Sequence, residues 1–184
     1  MFSNAARVAF ILIMGSAAWA QTSKPAIPLT TMKEVEAVAN TRLRAAPADP
    51  WGMLGDARGT YLPGGGTVVT FELTLASLPP LNPFHTSVSP KERRSAHDRK
   101  VKNLAVLKAA MREMIARAAT ALTAMPGNEQ ITFEAFLFNF AWEDRTGLPA
   151  RVTVCANRRK VADAVARHAS SAEMASLFEE HSEE

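Results

Sequence analysis

Apolar and polar residues alternate from Val68 to Leu75. Val69, Phe71, Leu73 and Leu75 fall on one side, and Val68, Thr70, Glu72 and Thr74 on the other. A period of two, rich in β-branched residues, predicts a half-buried strand. Pro63-Gly64-Gly65-Gly66 precedes it, after a short run ending at Tyr61 and Leu62. Consecutive glycines supply the permissive backbone of a turn, so 58–76 reads as a β-hairpin. In "ITFEAFLFNFAW", Ile131, Phe133, Ala135 and Leu137 face one way, while Phe136, Phe138 and Phe140 face the other. Two apolar sides predict a central strand covered on both faces. On that reading Phe133→Ala is far more damaging than Glu143→Ala. "ARVTVCA" alternates again, with Val152 and Val154 on one side, and the short turn "EDRTGLP" implies antiparallel pairing with the strand before it.

Between the hairpins the period changes. Val101, Leu104, Leu107, Met111, Met114, Ile115, Ala118, Leu122 and Met125 recur at helical spacings of three and four. Ser89, Pro90 and Glu92 form a helix-start signature, a capping box with proline at the first helical position. A helix from there to Pro126 would be roughly 50 Å long at 1.5 Å per residue, longer than a small domain is wide. Thr31 and Glu34 have the same capping-box spacing and predict a helix over about 32–44. Asn157 caps a further short helix, and "AEMASLFEEH" predicts a last one. The order α-β-β-α-β-β-α-α predicts an α+β fold: an antiparallel sheet of about four strands, as two β-hairpins, packed with one long and several short helices.

Chain organisation follows. Residues 1–20, "MFSNAARVAFILIMGSAAWA", carry Arg7, a short apolar centre and a small-residue end at Ala18-Trp19-Ala20. That is the layout of a signal peptide, and the apolar centre is shorter than the ~20 residues a membrane-spanning helix needs. An exported protein, periplasmic or secreted and beginning at Gln21, is expected. Residues 21–57 read as an arm, short helix and loop, 58–168 as an α+β core domain, and 169–184 as a short helix and acidic tail. No later stretch is apolar enough to span a bilayer.

Net charge is small: +3 overall, and +2 once the leader takes Arg7 and no acid away. Its distribution is uneven. Lys91 to Arg117 holds nine bases against Glu92, Asp98 and Glu113, while Glu173, Glu179, Glu180, Glu183 and Glu184 crowd the end of the chain. Arg93, Arg94, Arg99, Lys100 and Lys102 are the binding candidates, as a basic helix face for an anionic lipid or envelope polymer. The acidic tail is an alternative, intramolecular partner for it. Nucleic acid fits poorly with export, and no aromatic residue lies among the bases in sequence for stacking.

Candidate chemistry is sparse. Glu143 and Asp144 are the only catalytic candidates, as a general acid of an exported hydrolase of unrecognised type. Adjacent residues of an extended chain point apart, so a polar turn flanked by Arg145 and Arg151 is the preferred reading. No metal-ligand spacing occurs among His85, His97, His168 and His181. The glycine run lacks the Lys-Ser/Thr and following helix of a phosphate loop, and no cofactor motif is present. Cys155, the single cysteine, reads as a core residue with no internal disulfide. The chain is thus read as non-enzymatic, with the hydrolase as the alternative.

"GGGTVVTFEL", a long charged helix and "LFNFAWEDRTGLPARV", together spanning about 60–157, resemble exported bacterial proteins with no assigned activity. The resemblance implies export and a related fold, and no functional residue is carried over from it.

Overall fold

The computed structural model describes residues 27–45, 51–77 and 88–184. The leader, residues 1–20, and the proline-rich connection with His85 lie outside these. The elements run α1 Leu29–Arg44, β1 Gly52–Met53, β2 Arg58–Leu62, β3 Gly66–Thr74, α2 Pro90–Ala121, β4 Gln130–Leu137, β5 Arg151–Asn157, α3 Arg158–Ala166, α4 Ser171–Ala175 and β6 Glu179–Glu183. The class is α+β. The sheet, however, is mixed and has six strands in the order β1-β3-β4-β5-β6, with β2 also paired to β3.

Both expected hairpins form: β2 pairs antiparallel with β3, and β4 with β5. The expectation of a purely antiparallel sheet fails at the junction of the two. β3 and β4 lie side by side and parallel, with Thr67 opposite Ile131 and Leu73 opposite Leu137. A helix as long as α2 returns the chain to the starting edge, so the next strand runs in the same direction. Gly66 sits at this junction with φ +101°. A Cβ there would lie 2.0 Å from the Gln130 carbonyl oxygen, so only glycine fits.

The acidic end is also not a helix. After the short α4 the chain extends as β6 and pairs antiparallel with β5. Glu180 then reaches Lys108 at 3.5 Å and Arg112 at 2.8 Å on α2, and Glu183 pairs with Arg151. Charged residues on an edge strand also oppose pairing with another chain. α1 begins earlier than the capping-box spacing implied, and its N-cap, Pro28, makes no side-chain cap.

The core lies between the helices and one sheet face. Met32, Val35 and Leu43 of α1, Leu107, Met111, Met114 and Ile115 of α2, Val69 and Leu73 of β3, Ile131 and Phe133 of β4, and Val152 and Val154 of β5 are all buried in it. The opposite face of β4 is open, contrary to the two-sided expectation. Phe136, Phe138 and Phe140 are 39%, 45% and 39% exposed, because every described helix packs on the other side. Among the described residues no helix is long and apolar enough to cross a membrane.

Candidate functional site

α2 is capped as the sequence implies. The Ser89 side chain accepts from the Glu92 backbone N–H, and the Glu92 carboxylate accepts from the Ser89 backbone N–H. The buried stripe that follows differs from the apolar one. It runs Ala96, Lys100, Asn103, Leu107, Ala110 and Met111, while Val101 is 45% exposed. Lys100 is therefore not part of the exposed basic face. It is 1% exposed and points into the connection between β4 and β5.

There the Lys100 ammonium donates to Glu143 Oε2 at 2.5 Å, Asn139 Oδ1 at 2.9 Å and the Phe138 carbonyl at 3.4 Å. Three acceptors match its three N–H bonds. Burial lowers its pKa below the ordinary lysine value, and the Glu143 carboxylate acts against that shift. Glu143 Oε2 also accepts the Phe140 N–H at 2.9 Å, which closes a turn from 140 to 143. Glu143 is consequently not an exposed residue of a polar hairpin tip. Its side chain is 4% exposed, and Oε1 lies buried with no hydrogen-bond partner.

Asp144 does what the turn reading assigns to it. Its Oδ1 accepts both the Thr146 N–H at 2.9 Å and the Thr146 hydroxyl at 2.7 Å. These two bonds hold its carboxyl below the usual range, with a smaller contribution from His97. His97, one turn before Lys100, donates from Nε2 to the Thr146 carbonyl at 2.9 Å. That bond raises its pKa above 6.5, and the nearby Asp144 charge adds to the effect. α2 thus grips the connection at two levels, Lys100 on 138–143 and His97 on 146.

The His97 contact has a pH sign. A raised histidine pKa stabilises the folded state below the unfolded value and loses that contribution as pH climbs through the folded value. A depressed aspartate pKa contributes above the unfolded value and loses it as pH falls through the folded one. The grip on Thr146 is therefore tightest in mildly acidic solution. An NMR titration is expected to place His97 above 6.5, and Asp144→Asn to bring it down. An unchanged value in that variant would remove Asp144 from the account.

The two catalytic candidates therefore diverge. Glu143 is enclosed against Lys100, Asp144 is spent on Thr146, and neither lines the nearest concavity, of about 560 Å³, bounded by Leu137, Asn139, Arg145, Leu148 and Ala150 among others. Among the described residues no three of His, Cys, Asp and Glu converge as a metal site. Cys155 is buried, and burial beside Glu179 pushes its thiol pKa up, the reverse of activation.

The binding candidates divide as well. Arg93, Arg94, Arg99 and Lys102 lie on exposed or half-exposed positions of α2, and with Lys91 they make no ion pair among the described residues. Lys91, Arg94, Ser95, Asp98, Arg99 and Lys102 border one shallow surface. Further along α2 every base is answered. Lys108 and Arg112 meet Glu180, and Arg117 meets Glu113 at 2.9 Å.

The sequence reading missed the aromatic residues over this connection. Phe138 and Phe140 meet edge to face with centroids 4.9 Å apart, and Phe140 stacks on Trp142 at 5.7 Å and 16°. Strict alternation through Phe136, Phe138 and Phe140 was the available signal. It identified the outward side without showing that no described helix covers it.

No protein-family model, no curated protein and no solved structure matches this chain.

Proposed function

We propose that this chain is an exported, non-enzymatic binding protein that docks an anionic surface with the N-terminal turns of α2. One contrast carries the reading. The bases in the second half of α2 are neutralised by the chain's own carboxylates, whereas Lys91, Arg93, Arg94, Arg99 and Lys102 have no ion pair among the described residues. Exposed, unpaired charge of one sign raises the local concentration of an oppositely charged partner. The acidic strand β6 supports the same division, because its Glu180 reaches Lys108 and Arg112 rather than the bases near Ser89.

The test replaces Arg93, Arg94, Arg99 and Lys102 by Gln. Lys100 is left alone, since its removal would strand Glu143. Surface substitutions usually stay within about 0.5 kcal/mol each, so the variant should melt near wild type while losing retention on anionic vesicles or anionic polymer. Retention equal to wild type would reject the proposal. Deleting 173–184 is not a clean probe of the acidic residues, because it removes β6 from the sheet.

Export has its own measurement. Protein recovered from the cell envelope or medium should have the intact mass of a chain beginning at Gln21. A mass that retains residues 1–20 would contradict export with cleavage.

A further inference from the structure

We propose that the docking partner is a bilayer containing anionic phospholipid, and that Phe138, Phe140 and Trp142 enter its interface while the bases of α2 hold its headgroups. The inference rests on the docking reading above and adds the partner's class and a second contact surface.

Topology places the two features together. β3 and β4 are parallel and α2 connects them, so the start of α2 lies at the end of the sheet where β3 and β4 finish. The side-chain bonds from His97 and Lys100 to residues 138–146 fix this directly. The residues of α2 before Ala96 include no buried position, so Lys91, Arg93 and Arg94 continue past that contact. The connection itself has two sides. Asn139 and Glu143 face Lys100, while Phe138 and Phe140 stand outward with Trp142 stacked beside them.

Chemistry selects the partner. Phe138 and Phe140 expose 45% and 39% of their surface next to each other, which water does not favour and a polymer of charged groups cannot cover. Tryptophan settles at the level of lipid headgroups, phenylalanine belongs to the apolar faces that interfacial segments bury just below them, and basic clusters attract anionic leaflets. Six bases without an ion pair among the described residues, Lys91, Arg93, Arg94, Arg99, Lys102 and Arg145, crown this end. Among the described residues Glu72, Asp98, Asp144, Glu183 and Glu184 are the acids exposed there; Asp144 is engaged by Thr146 and Glu183 by Arg151, and Glu72 lies on β3 opposite Phe136. The rings are held rather than loose, because the turn that carries them is fastened to Lys100 through Glu143 and the Phe140 N–H.

Trp142 provides the readout. The experiment uses the chain from Gln21 to Glu184, which keeps every described residue and removes Trp19. Trp51 is 5% exposed, so Trp142 is the tryptophan near the surface. Vesicles of phosphatidylcholine alone, and with phosphatidylglycerol carrying brominated acyl chains, are titrated, with soluble polyglutamate as a competing polyanion. Binding is expected only with phosphatidylglycerol, with quenching of Trp142 that disappears in Trp142→Phe. Phe138→Ser with Phe140→Ser should weaken binding at least about tenfold, as should Gln at Arg93, Arg94, Arg99 and Lys102, each base near the surface contributing about fivefold. If the double Ser variant melts below wild type, Phe140→Ser alone carries the comparison.

Bound protein without quenching, or Ser variants that bind as wild type, would overturn the insertion while leaving docking through the bases intact. Capture by polyglutamate with no binding to vesicles would reject the bilayer and keep the basic face. Binding to neither would reject both readings.

Discussion

Lys100→Met should lower the folding free energy by about 3–5 kcal/mol, the typical cost of removing one partner of a buried ion pair. The charge left behind is Glu143, whose side chain is 4% exposed and whose second oxygen already lacks a partner. Water cannot reach it without opening the connection between β4 and β5. Replacing both residues, Lys100→Met with Glu143→Leu, should recover most of the stability, since apolar substitutes for a buried pair are often neutral or better. Equilibrium denaturation of the two single variants and the double variant measures the coupling. Additive losses would mean that the pair does not act as a unit.

Phe133→Ala should cost a similar amount, about 3–5 kcal/mol, by the transfer and cavity terms of a deleted buried ring. Phe133 is 0% exposed and lies on the central strand β4, between β3 and β5. That is a large share of the roughly 5–15 kcal/mol that holds a domain together. A loss under about 1 kcal/mol on thermal or urea unfolding would contradict its place in the core. The expectation that Glu143→Ala is far milder than Phe133→Ala does not survive the structure. Removing Glu143 leaves the Lys100 ammonium buried without its counter-charge, so both variants should be severely destabilised.

These two residues also mark what was legible in the sequence. Phe133 was, because period-two alternation states directly which side chains share a face. So were the hairpin turn at Gly64, the Ser89–Glu92 capping box and the Asn157 cap, all of which depend on neighbours in the chain. Lys100 was not. Four residues on from Ala96 and seven before Leu107, it sits on the inward stripe of α2, but Val101 and Leu104 draw the apolar pattern toward a neighbouring face. A polar residue at an inward position needs a partner, and that partner, Glu143, is distant in sequence. The parallel junction of β3 and β4 escaped for the same reason, as alternation carries no information on strand direction. β6 was hidden because all five of its residues are exposed and polar, so it has no apolar side to give it a period. The open face of β4 was misread because alternation fixes sides, while coverage depends on where the helices pack.

We propose docking through the uncompensated bases at the start of α2. Its most direct measurement is the affinity of the Gln21–Glu184 chain for phosphatidylglycerol-containing vesicles as a function of salt. Charge on an exposed surface is screened over about 10 Å at 0.1 M salt. Wild-type affinity should therefore fall steeply as salt rises, and the variant with Gln at Arg93, Arg94, Arg99 and Lys102 should give weak binding with a flatter slope. Equal slopes for the two proteins, or no binding at low salt to either these vesicles or polyglutamate, would contradict it.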